Sequence, residues 1–256
     1  MPAHYGNLTK NGKIDVVVLC RTEFNLSKYP MRVPCGKCIK CKLKRSRVWA
    51  IRLMHEASMH EPSVSNPDGQ GSCFITLTYN QQHLPNPPTL VKKDFQDFMK
   101  RLRYYHPHLK IKYYYCGEYG DLKGRPHFHA ILFGINFDHD KYFWENRNGF
   151  DLYRSPTLEK IWKFGYSSVG STTFESAGYV ARYLMKKVWG DAQLTHYADF
   201  DRDTGEIFYD RLPEYTDMSN GLGKSWYELY GEHAVRSGQV IMKGMKFAPP
   251  YRDWET

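Results

Sequence analysis

Two histidines one residue apart, His127 and His129 in HFHAILFG, are the first feature of the chain that could do chemistry. Side chains alternate along a β-strand, so residues two apart point to one face. On a strand the two imidazoles can converge on one cation, while Phe128, Ala130 and Leu132 turn the other way into a core. An H-x-H match alone is weak, because ordinary structural histidines produce it often. Glu118 adds a carboxylate at the end of the preceding strand, with YGDLKGRP as the connecting turn. In the expected hairpin register it falls beside the histidines; the ordinary alternative is a solvated turn carboxylate. Two nitrogens and one carboxylate leave positions open for water and a phosphoryl oxygen. With no thiolate in the set, Mg²⁺ or Mn²⁺ fits better than a structural zinc.

The second feature is YVARYLMKK. Tyr179, Tyr183 and Lys186 stand at i, i+4 and i+7 and share one helix face. Ala177, Val180, Ala181 and Leu184 form a neighbouring apolar stripe that could dock the helix on a sheet. A free phenol, with a pKa of about 10, is a poor nucleophile at neutral pH. A cation such as Lys186 or a metal favours the phenolate and stabilises charge developing on phosphate. The chain has 20 tyrosines, so two on one face also fit plain packing.

The third feature is CGKCIKC. Cys35, Cys38 and Cys41 supply three thiolates, and Cys20 or a histidine such as His55 could complete a tetrahedral zinc site. Three reduced thiols in a loop are the alternative. An iron–sulfur reading lacks its fourth cysteine, since position 45 is Arg45. Without a secretory signal, this spacing argues against a disulfide framework. The basic run KCIKCKLKRSR at 37–47 brings Lys44, Arg45 and Arg47, which could grip phosphates or form a solvated face. Arg125, next to the histidine strand, is a further candidate DNA contact.

These residues need elements to hold them. At 256 residues the chain can bury one substantial core but not two full-sized domains. No apolar run is long enough to span a bilayer, and VVVLC at 16–20 is too short for a signal peptide, so a cytoplasmic protein without a membrane partner is expected. The net charge of +9 attracts a polyanion, and the 16% of aromatic residues can stack on unpaired bases. A basic enzyme whose tyrosines pack its core has the same composition.

The hydrophobic pattern predicts a helix over 43–59, a loop or linker over 61–72, a strand at 73–79 and an amphipathic helix at 90–105. Strands at 111–118 and 127–134 should form a hairpin. A helix near 155–162 should be capped by Ser155 with Pro156 at its first position, followed by a strand at 166–173 and a helix at 175–188. The order implies an α+β core, an antiparallel sheet covered by helices on one face in a ferredoxin-like plan. Three segments are expected: an N-terminal extension over 1–72 with a strand near 14–19, a core over 73–190, and a C-terminal tail of little periodicity over 191–256.

FITLTY, then a carboxylate, then RPHFHAILF, then YVARYLMKK resemble the ordered motifs of HUH rolling-circle replication initiators. More narrowly, VPCGKCIKC, GEYGDLKGRPHFHAILFG and GLGKSWYE resemble segments of the initiators of gokushovirus-like microviruses. The resemblance implies a HUH endonuclease core, with His127, His129 and Glu118 as metal ligands and FITLTY as a structural or DNA-contacting strand. Tyr183 matches the tyrosine of the Y-x-x-K pattern ending at Lys186, and Tyr179 the extra tyrosine of two-tyrosine members. It implies metal-dependent nicking and joining of single-stranded DNA at a replication origin. Tyr183 is expected to attack first, leaving a 5′-phosphotyrosine and a free 3′-hydroxyl that primes a host polymerase, with Tyr179 alternating; the two roles could be swapped. GLGKS at 221–225 is only a Walker A fragment, because its first glycine would fall at Met218. Unwinding is therefore expected from a host helicase, inside a bacterial host cell. A related relaxase or transposase, or a non-catalytic single-stranded DNA-binding protein, are the alternative readings.

Overall fold

The structure is a computed structural model describing residues 7–8, 14–15, 22–24, 31–33, 38–63, 66–120, 124–186, 196–200, 204, 206–242 and 244–250; for some of these, including 183–186, it describes the backbone alone. Seven strands form the central sheet: β1 (Ser72–Tyr79), β2 (Lys112–Tyr119), β3 (Pro126–Phe133), β4 (Tyr142–Arg147), β5 (Phe150–Arg154), β6 (Gly165–Ser171) and β7 (Tyr215–Met218). The longer helices are α1 (Ile39–Ser58), α2 (Lys92–Tyr105), α3 (Pro156–Trp162), α4 (Phe174–Lys186) and α5 (Lys224–Ser237). The strands lie in the order β7-β2-β3-β1-β6-β5-β4, every neighbouring pair antiparallel. Within it, β2-β3-β1-β6 with α2 and α3 is the expected ferredoxin-like plan. The crossover through α2 leaves a gap beside β1 that β3 fills.

Period-two alternation explains why β1 and β3 divide their side chains between two faces. Ile75, Leu77, Phe128, Ala130 and Leu132 pack under α2 and α3. There Phe95, Phe98, Met99 and Leu102 form the buried stripe of α2. Phe95 stacks on Tyr115 with ring centroids 3.7 Å apart. Each such buried side chain contributes about 1.5–3 kcal/mol, so packing alone holds this face. The short α3 starts where its cap dictates: the Ser155 hydroxyl accepts the Leu158 N–H at 3.1 Å, and Pro156 occupies the first turn.

The opposite face differs from the one-sided expectation. Ala50, Leu53 and Ala57 of α1 and Ala177 and Val180 of α4 pack there against Tyr114, Cys116, Ile131 and Phe133. Small residues let the two helices lie close together and cover one end of the face. The 43–59 helix, read as part of an extension, is therefore part of the sheet's cover.

The segment read as a tail also joins the core. β7 pairs with β2, and α5 docks on α1, where Trp226 stacks on His55 at 3.6 Å. Glycines in the left-handed region, Gly223 (φ 77°) and Gly238 (φ 66°), bracket α5. Unanticipated altogether was the β4–β5 hairpin at the sheet edge. Its two-residue turn is Asn148–Gly149, with φ 54° and 82°, as a type I′ turn requires. Of the 14–19 strand, the described residues include the short strand Ile14–Asp15, paired with Asn7–Leu8. No helix among the described residues is long and apolar enough to cross a membrane.

Candidate metal centre

The hairpin register is the expected one: Glu118 lies opposite His127, and Cys116 opposite His129. On the other side of β3, Thr78 pairs with His127 and Thr76 with His129. All these side chains lie on the α4 side of the sheet; the helices cover Cys116, while the two threonines and two histidines border the open end. The ligand atoms of Glu118, His127 and His129 lie within 4.8 Å of one another, and they form the one group of this kind among the described residues.

The hydrogen bonds show how the triad is held. Glu118 Oε1 lies 2.7 Å from His127 Nε2 and 2.9 Å from His129 Nε2. His127 Nδ1 lies 3.0 Å from the Arg125 carbonyl oxygen, which can only accept, so Nδ1 carries a proton. In the neutral ring Nε2 then presents a lone pair to a carboxylate. That arrangement is stable only if the ring is protonated twice or a cation stands between the groups. His129 Nδ1 is held at 2.9 Å from the Thr76 hydroxyl, which fixes the second ring. Burial pushes the Glu118 pKa up, but the hydrogen bonds and charges of His127 and His129 outweigh it and hold the carboxyl at about 2. A carboxylate that stays ionised next to two oriented imidazoles fits a divalent cation.

The triad opens into a cleft of about 670 Å³ between β1, β3, β6, α4 and the β4–β5 hairpin. Tyr179 stands in this cleft, 41% exposed, its ring edge-on to His129 at 5.2 Å. Tyr183 and Lys186 lie one and two turns further along α4, and their side chains fall outside the described residues. Arg182, three residues after Tyr179, also lines the cleft. It stands to Tyr179 as Lys186 stands to Tyr183, a repeat of the Y-x-x-K spacing that the sequence reading passed over. Thr76 was passed over too, because FITLTY identifies a strand but not which hydroxyl meets a histidine.

Other candidates lie elsewhere. The Arg125 guanidinium donates to the Tyr79 carbonyl and the Gln81 side chain, both at 2.9 Å, and so ties the turn before β3 to the end of β1. Lys44, Arg45 and Arg47 are exposed on α1 and line a separate groove of about 890 Å³ with Arg52 and Lys246. Cys38 occupies the position before α1 without a side-chain capping bond, and Cys41 lies in its first turn; Cys20 and Cys35 fall outside the described residues. His55 cannot complete a zinc site with them. It stands roughly 21 Å along the helix from Cys41 at 1.5 Å per residue, and it is buried against Trp226. In GLGKS, the Gly223 N–H that a phosphate would need donates instead to Glu56 Oε2 at 2.7 Å.

A model of the replication-associated protein ORF2/G2P family matches residues 72–188, from β1 to the end of α4. The chain is 33% identical over 231 residues to the replication-associated protein VP4 of Bdellovibrio phage phiMH2K, covering 86% of this chain and 66% of that protein. It is 31% identical over 227 residues to the replication-associated protein ORF2 of Spiroplasma virus 4, covering 84% and 63%. It is also 31% identical over 232 residues to the replication-associated protein ORF4 of Chlamydia phage 1, covering 88% and 53%. The chain thus spans between about half and two thirds of the length of these relatives. No solved structure matches it. The motifs, their order and the matched segment agree: the chain belongs to the replication-associated protein ORF2/G2P family, alongside the viral replication-associated proteins it resembles.

Proposed function

We propose that this chain is a replication initiator that nicks and rejoins single-stranded DNA through a phosphotyrosine bond. The observation that carries the reading is a cleft lined by His127 and His129, which Glu118 backs, with the Tyr179 ring against His129. The relatives, replication-associated proteins of two phages and a Spiroplasma virus, support it.

Glu118, His127 and His129 would hold Mg²⁺ or Mn²⁺, which when bound supplies Lewis-acid polarisation of the scissile phosphodiester. The protein's own groups do the rest. The Arg125 carbonyl and Thr76 hydroxyl keep both imidazoles aimed. The Tyr179 oxygen attacks phosphorus in line and loses its proton to solvent. The bond to the 3′-oxygen breaks, that oxygen takes up a proton, and the 5′-phosphate stays on the tyrosine. Arg182 offers positive charge to the phosphate oxygens. Attack by a 3′-hydroxyl on the phosphotyrosine reverses the step and rejoins a strand without ATP. The placement of Tyr179 favours it for the first attack, with Tyr183 alternating. The free 3′-hydroxyl would prime a host polymerase, with unwinding by a host helicase in the cytoplasm of the bacterial cell. A structural zinc at Cys38 and Cys41, completed by Cys20 and Cys35, is a separate proposal; metal analysis of protein purified without chelator should find one zinc per chain, and none would refute it.

The test is an SDS gel of the protein incubated with labelled single strands from its own replicon and Mn²⁺. Label should stay with the protein and vanish with EDTA. Cutting without an adduct would make water the attacker. Tight binding with no cutting of any origin-bearing strand would leave a DNA-binding protein without this chemistry.

A further inference from the structure

The β4–β5 hairpin exposes more aromatic surface than a free sheet edge needs. Tyr142, Phe143, Trp144 and Phe150 are all exposed. Two of them do not simply face solvent. A β-bulge between Phe143 and Glu145 takes Trp144 out of the pairing register, a device that re-aims a side chain. Trp144 and Phe150 both line the cleft whose other wall carries His127 and His129. The Arg154 guanidinium lies 4.3 Å from the Trp144 ring centroid and steadies that ring from the hairpin side.

We infer that this hairpin is a stacking arm for single-stranded DNA, placing a base on Trp144 or Phe150 next to the phosphate held at the triad. The inference rests on the nicking reading above and adds how the strand is seated. The chemistry favours bases over other occupants. The histidines and these rings line one cleft, so a strand whose phosphate lies at the histidines can run on to them. Aromatic faces stack on every base, so the contact tolerates sequence. Charge alone does not fill the cleft: its lining holds Asp151 and Glu175 as well as Arg147 and Arg182, and Arg147 already pairs with Glu145 at 2.7 Å. Stacking on the bases must therefore supply much of the local affinity.

The test compares an oligothymidylate of roughly sixteen nucleotides, the upper end of a single-domain site, with an abasic strand carrying the same number of phosphates. Binding is followed by fluorescence anisotropy in EDTA, so that nothing is cut. The wild-type chain should prefer the strand with bases. Trp144→Ala should weaken that binding about 5- to 100-fold while leaving the abasic strand unaffected, Phe150→Ala should lose less, and Trp144→Phe should restore most of the preference. Both rings are exposed, so these variants should keep the wild-type circular dichroism. Equal affinity of the wild type for the two strands, or a base preference that survives Trp144→Ala and Phe150→Ala combined, overturns the inference. An adduct assay run alongside separates the two readings. A wild-type adduct with no base preference refutes the stacking arm alone, and a Trp144-dependent preference without any adduct refutes the nicking alone.

Discussion

Two carboxylates lie in the interior within reach of histidine rings, and their surroundings differ in kind. Glu56, on α1, accepts from Lys112 Nζ at 2.8 Å, His60 Nε2 at 2.9 Å and the Gly223 N–H at 2.7 Å. Burial pushes its pKa up, but those donors outweigh it and hold it below the ordinary carboxylate range. An ammonium and a backbone amide bring their own protons, so the group is satisfied by the fold and links α1, β2 and the start of α5. Glu118 instead meets two imidazole Nε2 atoms, one of them on a ring whose other nitrogen already donates to a carbonyl. Burial is alike in the two places. What separates a structural carboxylate from a candidate ligand is whether its neighbours are fixed donors or imidazole nitrogens that a cation could take over.

That contrast can be broken by exchanging consequences. Glu118→Gln should lower adduct formation by about 10³-fold or more, since several kcal/mol of charge stabilisation depend on the cation, while the denaturant midpoint barely moves. Loss of stability with activity retained would reverse the assignment. Glu56→Ala should do the opposite. It leaves Lys112 and the Gly223 amide without their acceptor and should cost about 3 kcal/mol of unfolding free energy, with the folded fraction still forming adduct.

The next residue on α1 back from Glu56 sharpens the picture through pH. Burial lowers the His55 pKa from 6.5 to about 4. The unfolded chain therefore binds a proton that the folded one refuses between those values. Stability is full above pH 6.5 and falls towards pH 4, by up to about 3 kcal/mol. Glu56 titrates with a lowered folded pKa, so its contribution is lost only further down, as pH falls below the ordinary carboxylate range. Unfolding measured across pH 4–8 should show the first slope, and His55→Phe should remove it. The smallest effect concerns α1's outer surface: reversing the charges of Lys44, Arg45 and Arg47 should weaken single-stranded DNA binding and reduce its salt slope by about one for each phosphate no longer neutralised.

Much of this was readable from residue order. Alternation in HFHAILF separates His127 and His129 from Phe128, Ala130 and Leu132, and the structure divides them the same way. The α2 stripe and the Ser155 cap are local signals that tertiary packing left intact. Other elements carried weaker signals. β7 is a four-residue edge strand that gains its place only by pairing with β2, and α5 contains Gly231 in mid-helix. β4 is exposed along nearly its whole length, so alternation could not reveal the β4–β5 hairpin, although its Asn148–Gly149 turn was legible. Helical spacing puts Tyr179 and Tyr183 on one face equally; the docking of α4 on the sheet is what sets Tyr179 against His129.

The tyrosines can be told apart by mass, because trypsin cuts after Arg182 and leaves Tyr179 in the peptide 164–182 and Tyr183 in the peptide 183–186. The covalent complex formed with an origin strand and Mn²⁺ would be digested with nuclease and trypsin and its nucleotide-bearing peptide identified. The nucleotide is expected on 164–182, lost in Tyr179→Phe and absent with EDTA. A nucleotide found on 183–186 alone, or on neither peptide, would contradict it.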